Sequence, residues 1–258
     1  MVVFVIIAFI LLFVCLLLII QNKVKCNTML YRFKIGNVIV CGHKGTGKDL
    51  VFQYVINHRK KYYYSNISYG GQNKIISLND VSVAPNDYNK LINNEVVKTP
   101  HMFKENCDIY ISDGGNFLPS QMDSQLHKKY PSMPIFYSLS RHLYNNNVHV
   151  NTQNIERVWK ALREQADYYI VVKRTYKLFG FIFFTKVITY DKYESCKNNI
   201  LPLKKRLFNK DSKNQFDLFT AQNGIIDSFF VIQFKNQLHY NTRAFEKVLL
   251  KGKRKYAN

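Results

Sequence analysis

The chain has 258 residues, 47% hydrophobic and 15% aromatic, with Lys+Arg 37 against Asp+Glu 17 and a formal net charge of +20. That apolar content excludes a disordered chain, and cysteines at positions 15, 26, 41, 107 and 196, without paired spacing, exclude a disulfide scaffold or a zinc ribbon. The basic excess points to anionic partners, nucleic acid or anionic lipid, although a nucleotide-biased genome would enrich the same lysines and asparagines.

Val2 to Ile20 is a run of nineteen apolar residues without a charge, long enough to cross a hydrocarbon core of about 30 Å as a helix. No Lys or Arg precedes it, and Gln21-Asn22-Lys23-Val24-Lys25-Cys26 is a poor cleavage site. A retained anchor over residues 1–22 is therefore expected in place of a signal peptide. Lys23, Lys25, Arg32 and Lys34 then form a basic juxtamembrane segment, residues 23–34. By the positive-inside tendency this predicts a single-pass protein of a host inner or plasma membrane, N-terminus outside and body in the cytoplasm.

Asn37-Val38-Ile39-Val40-Cys41 predicts a buried strand, and Leu50 to Ile56 an apolar helix. Between them stands Gly42-His43-Lys44-Gly45-Thr46-Gly47-Lys48-Asp49, which fits the phosphate-cradling pattern G-x-x-x-x-G-K-[S/T] at every position but the last. Strand, glycine loop and helix N-terminus together aim backbone N–H groups at phosphate. The expected ligand is ATP, with Lys48 as the cation directed at its terminal phosphates. Asp49 replaces the hydroxyl that usually helps hold Mg²⁺; it is either a hard oxygen ligand for that ion or a carboxylate stabilising the first helical turn.

Further along, Lys61 to Asn66 and Lys74 to Leu78 read as strands. Asp108-Ile109-Tyr110-Ile111-Ser112-Asp113 is another, in the form of a Walker B segment whose aspartate, Asp113, would hold Mg²⁺ beside the phosphate loop. Gly114 follows where many such ATPases carry a water-activating glutamate. Val148 to Gln153 reads as a strand with Gln153 at its carboxyl end, either touching the γ-phosphate and attacking water or simply turning the chain. Ile155 to Arg163 has helical apolar spacing. Asp167 to Val172 and Phe181 to Tyr190 read as paired strands with Gly180 in the turn. Ile225 to Ile232 is too short for a second span and reads as a buried strand or helix.

The order of these motifs resembles the ATPase domain of the zonular occludens toxin (Zot)-like family of filamentous-phage assembly proteins, related to FtsK/HerA DNA-pumping ATPases. The resemblance rests on Gly42 to Lys48, the strand ending in Asn66, Ile109 to Asp113, and the run Arg141-His142, Thr152-Gln153, Arg163, Ala166-Asp167. It implies an α/β, RecA-like P-loop NTPase domain with a mostly parallel sheet over residues 35–192, leaving 193–258 as a basic region of unassigned fold. It further implies a homo-oligomeric ring acting in assembly, export or packaging of a phage-like particle, with single-stranded DNA or phage coat and assembly proteins as partners. In that setting Asp49 and Asp113 hold Mg²⁺, Gln153 senses the γ-phosphate, and Arg163, or else Arg141, reaches across a subunit boundary; both arginines also read as surface cations. Members of the family usually carry Ser/Thr at the place of Asp49 and Glu at that of Gly114, and the best-known ones have their membrane helix after the domain. A membrane-tethered, non-hydrolysing nucleotide- and DNA-binding scaffold is the alternative expectation.

Overall fold

A computed structural model describes residues 2–76, 103–114, 140, 145–158, 160–193, 196–197 and 225–238. Eight strands build one sheet: β1 (Val38–Cys41), β2 (Tyr63–Ser65), β3 (Asn73–Ile75), β4 (Asp108–Ile111), β5 (Val148–Thr152), β6 (Tyr168–Leu178), β7 (Ile182–Tyr190) and β8 (Ile225–Phe234). Their order across the sheet is β3-β2-β4-β5-β1-β6-β7-β8. The pairs from β3 to β6 are parallel, and β6–β7 and β7–β8 are antiparallel. This is an α/β, RecA-like fold with a mostly parallel sheet.

Every residue of β1 is buried, as expected for a central parallel strand covered on both faces. Alternation sends Val38 and Val40 to one apolar cluster, with α2 (Lys48–Arg59), and Ile39 and Cys41 to the other, with Ile155, Val158 and Leu162. Val51, Phe52, Val55 and Ile56 form the buried stripe of α2, which stops where Lys60 turns left-handed and returns its N–H to Ile56 O.

The strand before Asp113 ends beside the phosphate loop, as expected, without pairing with the loop strand. Both edges of β1 are taken, by β5 and β6, so β4 lies one strand further out. The helix expected over 155–163 is split into a 3-10 turn, Ile155–Arg157, and a short α3, Lys160–Glu164. The break falls at Val158, whose backbone is extended at φ −71° and ψ 133°, while Asn154 accepts from Glu156 N and caps the first turn.

The N-terminal helix α1 (Val2–Ile35) is continuous. From Phe4 to Gln21 every residue is exposed, and the helix is long and apolar enough to cross a membrane. The segment read as a juxtamembrane link is the same helix docked on the sheet. Cys26, Met29 and Phe33, spaced three and four apart, are buried against α2, Phe229 and Val231. Arg32 pairs with Asp227 of β8 at 2.7 Å. β8 thus belongs to the same sheet, with buried and exposed residues alternating from Phe229 to Phe234. The basic runs at 204–206 and 251–255 lie outside the described residues.

Candidate phosphate-binding site

Gly42 to Asp49 connects β1 to α2 at the carboxyl edge of the parallel strands, where ligands of open α/β sheets collect. Gly45 and Gly47 have φ of 78° and 95°, a region that favours glycine. A Cβ on Gly47 would stand 2.1 Å from Thr175 Oγ1, and one on Gly42 would stand 2.5 Å from the Val172 carbonyl. The loop is therefore pressed against β6, and Thr175 Oγ1 donates to Thr46 O at 2.7 Å. Gly47 caps α2 without a side chain, so the first N–H groups of that helix keep no side-chain acceptor.

Lys48 is 7% exposed and folds over the loop to donate to His43 O at 3.1 Å. Burial pushes its ammonium pKa down, while Asp49, Asp113 and Cys41 pull it partly back. A desolvated ammonium inside a glycine loop is a strong attractor for phosphate oxygens.

Asp49 is the centre of a polar knot. Its Oδ1 accepts from Tyr69 OH at 2.8 Å, Ser112 Oγ at 2.8 Å and Asn151 Nδ2 at 2.7 Å. Asn151 Oδ1 in turn accepts the Asp113 N–H at 2.7 Å. Asn66 holds the Ser112 backbone from the other side, accepting from its N and donating to its O at 2.7 Å each. The β2–β3 loop, the turn after β4 and strand β5 each send one donor to this carboxylate in the first turn of α2.

β4 ends at Ile111, and Asp113 leaves it with φ of 51°. Asp113 lines two adjoining cavities. One, of about 700 Å³, holds Lys48, Asp49, Ser112, Asn151 and Thr175. The other, of about 340 Å³, holds His43, Thr152, Asn154 and Arg157. Lys44 and Gln153 line both.

The structure therefore brings together Gly42 to Asp49, Asp113 and Gln153. It does not bring Arg163 to them: that guanidinium stacks 4.6 Å over the Tyr193 ring and bonds the Tyr193 hydroxyl. Arg141 lies outside the described residues. The carboxylate and hydroxyl oxygens of Asp49, Asp113 and Ser112 are hard donors of the type that suits Mg²⁺, which takes one or two carboxylates and keeps water and phosphate oxygens. Among the described residues no group of three or more His, Cys, Asp or Glu forms a metal cluster.

Tyr69, Ser112, Asn151 and Arg157 went unread in the sequence. Ser112 and Asn151 left one signal, a polar residue closing an apolar strand just before Asp113 and just before Thr152-Gln153. Tyr69 and Arg157 left none.

No protein-family model and no curated protein matches the sequence. Among solved structures, the chain is similar to the N-terminal domain of zonular occludens toxin from Neisseria meningitidis, at 12% identity and TM-score 0.43, covering 82% of this chain and 97% of that one. It is also similar to the genome packaging NTPase of Sulfolobus turreted icosahedral virus 2 in complex with ATP-gammaS, at 14% identity and TM-score 0.37, covering 80% and 94%. A third is the ATPase DotB of Legionella pneumophila, at 10% identity and TM-score 0.32, covering 87% and 63%. The fold assignment rests on the strand order and the loop geometry.

Proposed function

We propose that this chain is a membrane-anchored P-loop ATPase that works as a homo-oligomeric ring in assembly, export or packaging of a phage-like single-stranded DNA particle. The setting comes from the motif order that resembles Zot-like proteins; the chemistry comes from the site. The observation that carries it is the convergence of Lys48, Asp49, Ser112, Asp113 and Gln153 on one cavity.

In P-loop NTPases the loop supplies a hydroxyl and the neighbouring strand end a carboxylate, and the two share the metal. Here the loop supplies the carboxylate, Asp49, and the strand end the hydroxyl, Ser112, bonded at 2.8 Å. The pair is exchanged between the elements. Mg²⁺ bound there would neutralise charge on the β- and γ-phosphates. Lys48 draws the terminal phosphates into the loop, and the first N–H groups of α2 orient them. With Ser112 at the usual carboxylate position, Asp113 falls at the next one, where the water-activating carboxylate stands in related enzymes. Asp113 and Gln153 then orient the attacking water, Asp113 taking its proton. This assignment accounts for Gly114, whose missing side chain is not needed.

The test uses Asp49→Ser, Ser112→Asp and the double variant, with Mg²⁺-dependent ATP affinity by calorimetry and ATP turnover with and without single-stranded DNA. Each single change strands donors or opposes two carboxylates and is expected to lose about tenfold or more in Mg²⁺-dependent affinity. The double variant is expected to recover most of it. A double variant no better than its parents sinks the exchange. A wild type that binds ATP without any turnover favours the scaffold reading.

A further inference from the structure

α1 crosses the open edge of the sheet where its apolar stretch ends, and the crossing is pinned by specific bonds. Asn22 pairs with the Phe230 backbone as a strand would, donating to its O and accepting from its N at 2.8 Å each. Lys25 Nζ donates to Ser228 O at 3.3 Å, and Cys26 Sγ donates to Phe230 O at 3.4 Å. Between helix and sheet this leaves a groove of about 590 Å³. Its walls are apolar, from Leu18, Ile19, Phe230 and Ile232, and its cations are Lys23, Lys25 and Lys186. None of the residues lining it is acidic.

The groove opens onto the outer face of the antiparallel strands. Register places Phe230 beside Lys186, Ile232 beside Phe184 and Phe234 beside Ile182. On the next strand Tyr176 lies across from Phe184, and Leu178 across from Ile182. Phe230, Ile232, Phe234, Tyr176 and Leu178 are all exposed, by 37% to 46%. This apolar face begins at the level of Leu18 and Ile19, the last turns of the membrane-length run, so it is continuous with a surface built for hydrocarbon.

We infer that the groove seats an anionic phospholipid, its acyl chains against Leu18, Ile19 and Ile232 and its phosphate among Lys23, Lys25 and Lys186, laying the β6–β8 face on the bilayer. The inference rests on the reading that α1 spans a membrane. Charge and geometry agree: a groove apolar along one wall and cationic at the depth of the headgroups matches a lipid that is apolar at one end and anionic at the other. The ammonium groups keep donors to spare, since Lys25 uses one of its three on Ser228.

Full-length protein in detergent, analysed by native mass spectrometry, is offered phosphatidylglycerol and phosphatidylcholine of identical acyl chains. The wild type is expected to retain phosphatidylglycerol about tenfold or more over phosphatidylcholine. The triple variant Lys23→Gln, Lys25→Gln, Lys186→Gln should fall close to parity. A control removing equal charge elsewhere, Lys61→Gln, Lys74→Gln, Lys160→Gln, should keep the wild-type preference. The inference is overturned if the groove variant keeps the preference, or if the control loses it to the same extent. Flotation with phosphatidylcholine vesicles after a high-salt wash reads the anchor separately. A chain that floats but shows no headgroup preference loses the lipid site alone, and one that fails to float loses the spanning helix and the lipid site with it.

Discussion

The parallel and antiparallel halves of the sheet are built on different physical terms. Strands β1 to β5 are three to five residues long, and β1, β2, β4 and β5 are buried throughout. Strands β6 to β8 run nine to eleven residues, with exposure rising on one face. Tyr168 to Val171 of β6 pairs with β1, and the strand then continues past it to form the second half. At or just past the carboxyl ends of these short strands stand Asn66, Ser112, Asn151 and Gln153. A long strand with a free face can carry a surface. Chemistry gathers in the first half and contact in the second.

The sharpest way to break the first half is Lys48→Ala. It removes the one buried ammonium of the glycine loop, and ATP affinity by calorimetry should fall on the order of a hundredfold, ~3 kcal/mol, while helix α1 and the sheet stay intact by circular dichroism. Unchanged affinity would remove the loop from the ligand site altogether.

Arg32→Ala tests whether the second half is fastened to α1. Arg32 and Asp227 are both mostly buried, and Arg32 also stands 5.6 Å over the Tyr168 ring. Leaving Asp227 unpaired should cost roughly 2 kcal/mol, read as a lower denaturation midpoint, with ATP affinity little altered. If affinity falls in parallel with stability, the two halves do not behave as separate units.

A smaller effect sharpens the comparison by pH. His149 of β5 is fully buried between the rings of Phe33 and Tyr110, at 4.8 Å and 4.9 Å, and neither ring nitrogen has a hydrogen-bond partner among the described residues. Burial, with a further push from Arg59, drives its pKa well below 6.5. The unfolded chain takes up that proton near pH 6.5 and the native state does not. The stability this holds is present above pH 6.5 and is lost as pH falls, by about 1.4 kcal/mol per unit until the native group titrates. His149→Phe should flatten this histidine-dependent slope in denaturation midpoints between pH 6.5 and 5; an unchanged slope would assign it to other groups.

The glycine loop was legible in the sequence because its chemistry is local, set by eight consecutive residues and the strand and helix around them. The hairpin was legible too: Phe179 and Gly180, both at positive φ, form the tight turn that Gly180 announced. The meaning of Asp49 was not legible. Its partners come from positions 69, 112 and 151, and only the insertion of β5 between β1 and β4 brings them to one oxygen. Sequence spacing ranks Asp113 as the strand-end carboxylate; the strand itself stops at Ile111, so Ser112 takes the position that faces Asp49. Arg163 was read from a pattern of another kind. Its place after Thr152-Gln153 carried a family pattern, and its ring partner, Tyr193, lies thirty positions on.

The unbroken helix α1 has a mechanical meaning as well. Its 34 residues contain neither glycine nor proline and form a rod about 50 Å long. One end is anchored to the sheet through Met29, Arg32 and Phe33, and no joint separates that end from the apolar run. A body mounted this way cannot swivel on its stalk, so the azimuth of the candidate phosphate-binding cavity about the helix axis is fixed by residue count, each residue turning it about 100°. In a ring of such bodies the stalks would set the phase of every cavity toward its neighbour, as the teeth of a gear are keyed to its shaft.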